Sequence, residues 1–449
     1  MAVEFSYRTR IADLSRINNR TVDVLIIGGG ITGSGVANIL AESGIDFVLL
    51  ERGDFASGTS SGSSKLIHGG LRYLQQGRLG EVRNLIKERN YLRKNTEIVG
   101  DMEFHILIGK GSWNRATIRS GLFLYNILDG RIQIPRYRKN TGLYPAGVDG
   151  YFAYMDAYTD DSRLVISNIC SAKASGGICL NYCEVTGVSR NDDSYAVDIR
   201  DSISGKRYAL KARIIVNCAG SWAIEVMKMI GLRTTPSFRL SKGIHLVIPA
   251  GKLRLSNAVV FRSHIDGRQL FLIPRGEVIH LGTTDNFVSD PGDFSITEEE
   301  ISYLLESAGY LFGKIDRKIV INAFSGIRPM VSESMDPGSA SRESAVIQED
   351  SVINVLGGKL TDYRITARNA ARIVLSLLGN KSDIQDLPRI SYHREGALND
   401  FVYDIRYECA IKAEDILRRR EGLRIYSADA GKSMEESVRA ALAAEGIPA

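Results

Sequence analysis

The sequence VDVLIIGGGITG, residues 22–33, decides the fold. Its first half is a continuous apolar run rich in β-branched residues, which is typical of a strand buried on both faces of a parallel sheet. Its second half reads G-x-G-x-x-G. In this motif Gly28 allows a tight turn, Gly30 lets the backbone approach a pyrophosphate, and Gly33 lets helix and strand pack closely. With the amphipathic stretch over residues 34–43, the pattern predicts the strand, turn and helix of a dinucleotide-binding unit.

A carboxylate follows the next predicted strand. Gly44 ends the helix, and residues 46–50 (DFVLL) form an apolar run that leads into Glu51. Amides in the first turn of a helix, together with the helix dipole, favour bound phosphate. A carboxylate about 20 residues beyond the glycine turn accepts hydrogen bonds from an adenosine ribose. Glu51 is therefore predicted to bind a ribose.

Composition is that of an ordinary globular protein. The 449 residues are 44% hydrophobic and 24% charged, enough for two or three structural units with a large core. The net charge of +5 helps to attract a phosphorylated anion but is too small and too scattered to indicate nucleic-acid binding. Neither a metal site nor a nucleophilic triad has a supporting set of residues.

Cysteine usage and hydropathy favour a cytoplasmic protein. The five cysteines are odd in number and lack C-x-x-C spacing, which is typical of reduced thiols. Residues 1–22 mix charged and apolar positions and show no signal-peptide pattern. No apolar run approaches the roughly 20 residues that cross a bilayer. We expect a soluble protein, or at most a peripheral one on the inner face of the cell membrane.

A loop rich in glycine and hydroxyl residues follows Glu51. Residues 53–65 (GDFASGTSSGSSK) run directly into the apolar segment at residues 66–73 (LIHGGLRY). Such a loop can pass close to an extended cofactor and offer amides and hydroxyls to it. The alternative is a flexible surface loop, although such loops rarely continue straight into an apolar segment.

Several runs resemble FAD-dependent glycerol-3-phosphate dehydrogenases, within the D-amino-acid-oxidase-like superfamily of two-dinucleotide-binding flavoproteins. They are GGGITGSGVA, LLERGDFASGTSSGSSKLIHGGLRYLQQG, NCAGSWA, LGTTD, SGIRPM and LGGKLTDYR, in the family's order from Val22 to about Ala370. The resemblance implies an α/β fold in which an FAD-binding Rossmann-like domain carries an inserted antiparallel-sheet substrate domain. It also implies a helical C-terminal tail shorter than in most members.

Sequence signals divide the chain accordingly. Residues 20–77, 151–235 and 320–385 are predicted to form the discontinuous FAD-binding domain, 78–150 and 236–319 the substrate domain, and 386–449 the shortened helical C-terminal region. Antiparallel strands are predicted at residues 240–247, 258–265, 269–274 and 278–282, and helices at 158–174 and 360–378.

The resemblance also implies which residues hold a non-covalent FAD. They are Gly28, Gly30, Ile31, Thr32, Gly33, Glu51, Arg52, Thr59, Ser60, Ser64, Lys65, Leu66, His68, Gly70, Val185, Ala219, Gly220, Trp222, Gly358, Lys359, Leu360 and Thr361. His68 is the nearest residue that raises the question of covalent attachment.

Around the substrate the resemblance implies Arg72, Tyr73, His245, Arg328 and Lys359, of which the last three are the candidate catalytic residues. An imidazole titrates near neutral pH, so His245 is our preferred general base. Arg328 has the planar fork that suits phosphate and developing negative charge. For Tyr73 and His245 the alternative is simple packing in the core.

The implied reaction is oxidation of sn-glycerol 3-phosphate to dihydroxyacetone phosphate by hydride transfer from C2 to flavin N5, with electrons passed to a quinone or another acceptor. Alternatives are an oxidase that makes hydrogen peroxide, a related 2-hydroxy-acid or amine oxidoreductase, and a redox-inactive flavin-binding scaffold. A homodimer is compatible with the sequence.

Six basic residues flank the apolar stretch at residues 122–128 and favour either a solvated basic face or contact with an anionic membrane. These residues are Arg115, Arg119, Arg131, Arg136, Arg138 and Lys139.

Overall fold

The structure is a computed structural model that describes residues 3–74, 76–109, 113–234, 236–253, 255–331, 344–380, 390 and 392–447. Its strands are β1 (Thr21–Ile27), β2 (Phe47–Leu50), β3 (Leu66–Ile67), β4 (Val99–Gly109), β5 (Tyr137–Lys139), β6 (Val148–Thr159), β7 (Ile178–Leu180), β8 (Cys183–Arg190), β9 (Tyr195–Asp201), β10 (Arg207–Asn217), β11 (Phe238–Pro249), β12 (Ala258–Arg262), β13 (Gln269–Arg275), β14 (Val278–Gly282), β15 (Asn286–Val288), β16 (Asn322–Val331), β17 (Ala345–Glu349) and β18 (Val352–Leu356). Its α-helices are α1 (Tyr7–Ile17), α2 (Ile31–Glu42), α3 (Leu71–Leu74), α4 (Leu79–Asn95), α5 (Arg115–Leu128), α6 (Asp161–Ala174), α7 (Ala223–Ile230), α8 (Glu298–Phe312), α9 (Tyr363–Leu377), α10 (Phe401–Tyr407), α11 (Leu423–Tyr426) and α12 (Glu435–Ala444).

The first sheet is the predicted nucleotide-binding layer. Its order is β17-β18-β10-β1-β2-β7, and β1 pairs in parallel with both β10 and β2. Apolar residues of β1 alternate between two cores, because Val24 packs with α2, α6 and α9 while Leu25 packs with α1 and the β8–β9 hairpin. A strand buried on both faces explains the continuous apolar run at residues 22–27. The predicted Rossmann-like fold class is confirmed.

The second sheet has the order β15-β11-β14-β13-β12-β4-β6-β3, with β16 paired to β11 and β5 paired to β6. Its pairings are antiparallel except for β12 with β4. One face packs on α8, where Ile244 and Leu246 meet Leu304. The four antiparallel strands predicted between residues 240 and 282 correspond to β11, β12, β13 and β14.

Two strands that were predicted to belong to the FAD-binding domain pair within the second sheet. β16 was expected in the FAD-binding domain, yet it pairs along ten positions with β11. Most of β6, assigned to the same domain, pairs with β4. Both strands are long, and their pairing partners follow from tertiary register, which cannot be identified from local sequence. The other boundaries remain predictions.

The C-terminal region packs into the core of the first layer. Phe401, Ile405, Leu417 and Val438 belong to the same buried cluster as the apolar residues of α2 and α6. The helices predicted beyond residue 386 are present as α10, α11 and α12, with a π-helical turn at Asp415–Arg420. Among the described residues, no helix is both long enough and apolar enough to cross a membrane.

Candidate functional site

A cavity of about 680 Å³ lies where β1 and β10 end. The glycine turn forms one wall. Gly28 has a φ of +109°, and a Cβ there would lie 2.5 Å from the carbonyl oxygen of Cys218. A Cβ at Gly33 would lie 1.9 Å from the carbonyl oxygen of Gly28. Only glycine fits at these two positions, as the motif predicts.

Glu51 lines this cavity, but its carboxylate already accepts two backbone amides. The Gly29 amide donates to Oε2 over 2.7 Å, and the Gly53 amide donates to Oε1 over 2.8 Å. Burial raises the pKa of Glu51, although the two amide hydrogen bonds oppose that rise. Glu51 thus braces the glycine turn, and its hydrogen bond to a ribose remains a prediction.

Fifteen of the residues predicted to hold the cofactor line the cavity. They are Gly28, Gly30, Ile31, Thr32, Glu51, Arg52, Thr59, Ser60, Val185, Ala219, Gly220, Trp222, Gly358, Lys359 and Leu360. The guanidinium of Arg52 lies 4.0 Å above the Trp222 ring. Ser60 Oγ accepts the amide of Ile31 at the start of α2 over 2.9 Å, so the hydroxyl-rich loop is joined to the helix that begins at the glycine turn.

The other predicted cofactor residues lie outside the cavity lining. Gly33 packs behind the turn, and Leu66 lies in β3. Lys65 is buried and forms an ion pair with Asp161. Ser64 contacts the ring of His245. The Thr361 hydroxyl bonds to the backbone of His68. Gly70 has a φ of +78°. These residues support the loop that borders the cavity.

Sequence reasoning missed several lining residues. Ser57, Gly58 and Ser63 belong to the hydroxyl-rich loop, whose composition was a usable signal. Glu225, Met229, Gly292, Phe294 and Pro329 also line the cavity. Nothing local in their sequence distinguishes them.

His245 and Arg328 project from one face of the second sheet, which we call the His245 face. The Cα register pairs His245 with Phe324, Gly243 with Gly326, and Ser241 with Arg328. Residues directly opposite in an antiparallel pair share a face. The two glycines between the histidine and the arginine carry no side chain, which leaves room for the Arg328 guanidinium over Gly243 and for Gly62 of the hydroxyl-rich loop over Gly326.

The hydroxyl-rich loop crosses the His245 face. A Cβ at Gly62 would lie 2.3 Å from the carbonyl oxygen of Ser325, so loop and strand are in backbone contact. Ser64 Oγ lies 3.0 Å from Nε2 of His245. Thr59, in the middle of the loop, lines the nucleotide cavity and donates to the carbonyl of Ile327. The loop therefore joins the cavity to the face that carries His245.

The environment of His245 keeps its imidazole neutral. The side chain is fully buried and stacks on Phe324 with ring centroids 4.9 Å apart. Burial, aided by His280 and the positive charge of Arg328, lowers the pKa of His245 well below its ordinary value. Its Nδ1 has no hydrogen-bond partner in the part of the chain that the structure describes. A neutral, buried imidazole can accept a proton.

Arg328 is oriented by residues of the LGTTD run. Its Nη1 lies 3.1 Å from Asp285 Oδ1, and its Nη2 donates to Thr283 Oγ1 over 2.9 Å. A Cβ at Gly243 would lie 2.2 Å from Nη2, so the guanidinium lies directly over that glycine. Asp285 and Thr283 are supporting residues that sequence reasoning did not single out.

The other predicted substrate residues lie on different elements. Lys359 lines the nucleotide cavity and forms an ion pair with Glu81 at 2.7 Å. Tyr73 is buried, with the Lys359 ammonium 5.3 Å from its ring centroid. Arg72 lines a separate, largely apolar cavity of about 280 Å³ beside α5. His245 with Arg328, and Lys359 with Tyr73, form two groups, while Arg72 faces a third space.

The fold and the cavity define a two-layer dinucleotide-binding protein. A family model described as FAD dependent oxidoreductase matches residues 23–358. The aerobic glycerol-3-phosphate dehydrogenase of Staphylococcus haemolyticus is 35% identical over 366 residues, which cover 78% of this chain and 66% of that protein. Its counterpart from Staphylococcus aureus (strain MRSA252) is 34% identical, with 80% and 68% covered. The chain spans about two thirds of the length of these relatives. It belongs to the FAD-dependent oxidoreductase family.

Solved structures agree. The X-ray structure of the glycerol-3-phosphate dehydrogenase from Bacillus halodurans complexed with FAD matches with a TM-score of 0.80 at 25% identity, covering 98% of this chain and 94% of that one. The L-α-glycerophosphate oxidase of Mycoplasma pneumoniae shares the fold, with a TM-score of 0.59 at 18% identity, covering 83% and 98%.

The residues of the cavity fit FAD, the cofactor of this family. The glycine turn leaves space that any Cβ would fill, and α2 begins beside it, so the helix dipole favours a pyrophosphate there. Gly357 and Gly358, both at positive φ, lead from β18 toward α9 and bring backbone to the cavity wall. Loop hydroxyls supply further donors along that wall.

Proposed function

We propose that this protein oxidises sn-glycerol 3-phosphate to dihydroxyacetone phosphate. The observation that carries the proposal is the placement of a neutral, buried His245 and of Arg328 on one face of the second sheet, joined by the hydroxyl-rich loop to the nucleotide cavity. The names of the relatives at 34% and 35% identity support the same substrate. Bound FAD, held without a covalent link, would supply the two-electron acceptor for the C2 hydride.

Each candidate residue has a role that its surroundings allow. His245 takes the proton of the C2 hydroxyl, and Ser64 and Phe324 hold its ring in place. Arg328, fixed by Asp285, binds negative charge on the substrate. Lys359 adds a second positive charge at the cavity wall, and Tyr73 supports it. Arg72 is the remaining proposed substrate contact, and it lines the separate cavity beside α5.

The acid limb of the pH profile is expected below pH 6.5. The base acts in its deprotonated form, so turnover falls as the pH drops through its pKa, and the pKa of His245 is lowered from 6.5. The measurement is the pH dependence of kcat/KM, which reports the base of the free enzyme, corrected for the substrate phosphate, which itself titrates near pH ~6. A midpoint at or above pH 6.5 would contradict the proposed environment of the base.

Anaerobic reduction of the bound flavin tests the substrate. Glycerol 3-phosphate added to the purified holoprotein is expected to bleach the flavin absorbance, whereas glycerol and an unrelated phosphomonoester are not. Bleaching by a 2-hydroxy acid or an amine in its place would favour that class of oxidoreductase. If none of these compounds bleaches the flavin but dithionite does, a redox-inactive scaffold is favoured.

The acceptor is the second part of the proposal. We propose a quinone or a similar carrier, with dehydrogenase activity, in line with the names of the curated relatives. Admitting oxygen to the reduced protein distinguishes an oxidase, which regains its colour rapidly and releases hydrogen peroxide. A quinone analogue is expected to reoxidise the flavin faster than oxygen does.

We also propose peripheral contact with the inner face of the cell membrane. Ile127, Ile132, Ile134 and Leu143 are exposed, and Ile132 is 91% accessible. The basic residues Arg131 and Arg136 of the same segment are exposed as well. Exposed apolar side chains within a basic surface suit an anionic bilayer.

A cytoplasmic location accords with five buried, unpaired thiols. A homodimer remains a proposal.

A further inference from the structure

Asp54 is a buried charge beside the nucleotide cavity. It follows Arg52 and Gly53, which line the cavity, but its own side chain is 0% exposed. Its carboxylate accepts four hydrogen bonds. Arg420 donates from Nη1 over 2.7 Å and from Nη2 over 3.0 Å, Arg419 donates from Nε over 2.6 Å, and Asn181 donates over 3.0 Å. The two arginines, which we call the arginine pair, come from the π-helical turn of the C-terminal region.

The loop that carries Asp54 is bonded directly to the glycine turn. The Ala56 amide donates to the carbonyl of Gly29 over 3.0 Å. On the other side, Glu51 Oε2 accepts the amide of Gly29 over 2.7 Å. Gly29 is therefore hydrogen-bonded to both Glu51 and Ala56, and Asp54 lies between these two residues in the loop. A shift of Asp54 would therefore move the glycine turn and the neighbouring residues Glu51 and Arg52.

The arginine pair is itself anchored. Arg420 donates from Nη2 to the carbonyl of Glu408 over 2.9 Å, and Arg419 donates to Asp415 over 2.6 Å. Burial alone would raise the pKa of Asp54, but Arg420 and Arg419 lower it to about 2. Asp54 is therefore ionised at neutral pH. Removing one arginine leaves a buried charge only partly compensated, so the loop must move toward water.

We infer that the arginine pair positions residues 51–57 and thereby sets the affinity of the protein for FAD. Neither arginine lines the cavity, so both are positioning residues. Both lie outside residues 23–358, the part of the chain that the family model matches. The inference rests on FAD as the cofactor and is independent of the substrate.

The test is the dissociation constant of FAD, measured by flavin fluorescence during titration of the deflavinated full-length protein. Arg420→Met is expected to raise it about tenfold, which corresponds to roughly 1.4 kcal/mol. At saturating FAD, kcat is expected to stay within about twofold, because the reacting groups are unchanged. The matched control is Arg394→Met, since Arg394 pairs with buried Asp404 and Glu421 in the same region without touching the loop. It is expected to lower Tm and leave the dissociation constant unchanged.

Arg420→Lys covers the case in which Arg420→Met does not fold. Lysine keeps the charge and loses the two-pronged contact, so an intermediate dissociation constant is expected. An unchanged constant in a folded Arg420 variant would overturn the inference, as would an equal rise in Arg394→Met. FAD binding is read without glycerol 3-phosphate, so a wrong substrate assignment leaves this test intact.

Discussion

Replacing His245 with alanine is expected to lower kcat for glycerol 3-phosphate by about 10² to 10⁴-fold, the usual contribution of a positioned general base. The protein should remain yellow, because His245 does not line the nucleotide cavity. The loss follows from removing the neutral imidazole that Ser64 and Phe324 hold in place. The measurement combines steady-state kcat with the ratio of flavin to protein absorbance.

His280→Gln is the matched control for this variant. His280 is also buried, and burial lowers its pKa to about 3. Its Nε2 lies 3.0 Å from the carbonyl oxygen of Ile425, a contact that a glutamine amide can replace. We expect this variant to lose stability and keep kcat. Full activity in His245→Ala would remove the assignment of the base, and loss of flavin from it would point to a cofactor-binding role.

Gly33→Ala is expected to yield protein that retains little or no FAD, with a dissociation constant raised at least about 100-fold. The added Cβ would lie 1.9 Å from the carbonyl oxygen of Gly28 and 3.3 Å from Cys218 Cβ. Either α2 moves away from β1 or the turn opens, and both changes displace the amides that face the pyrophosphate. Flavin content after purification and fluorescence titration of the apoprotein are the measurements.

Gly80→Ala is the corresponding control within a helix. Gly80 lies in α4, and a Cβ there would meet no atom within 4 Å. The substitution is expected to be neutral or to stabilise by up to about 1 kcal/mol, since alanine has the higher helix propensity. If Gly33→Ala binds FAD as tightly as Gly80→Ala does, the glycine turn does not hold the pyrophosphate.

Local signals predicted the nucleotide-binding layer well, because its decisive features lie within a few residues of one another. The apolar run at residues 22–27 became β1, and the glycine motif became a turn that no larger residue fits. The strands between residues 240 and 282 were predicted from turn signals at their ends. The partners of the strands were not predicted. β16 pairs with β11 across a separation of about 80 residues, and a local sequence pattern carries no information on such a pairing.

The candidate site was predicted in part for the same reason. Motifs identified His245 and Arg328 individually, and the structure brings them to one face. They gave no indication that Asp285 orients Arg328, or that Arg72 lines an apolar cavity. Side-chain direction depends on neighbours from distant elements, so it is not encoded in the motif that contains the residue.

The bond between Asp54 and Arg420 joins residues 366 positions apart. A nascent chain emerges from the ribosome in order, so the residues of its first strand, glycine turn and helix are synthesised long before the arginine. Until then the two arginines that donate to Asp54 are missing. The contact between Asp54 and Arg420, and the flavin affinity that we infer from it, therefore become available only once residue 420 has been translated.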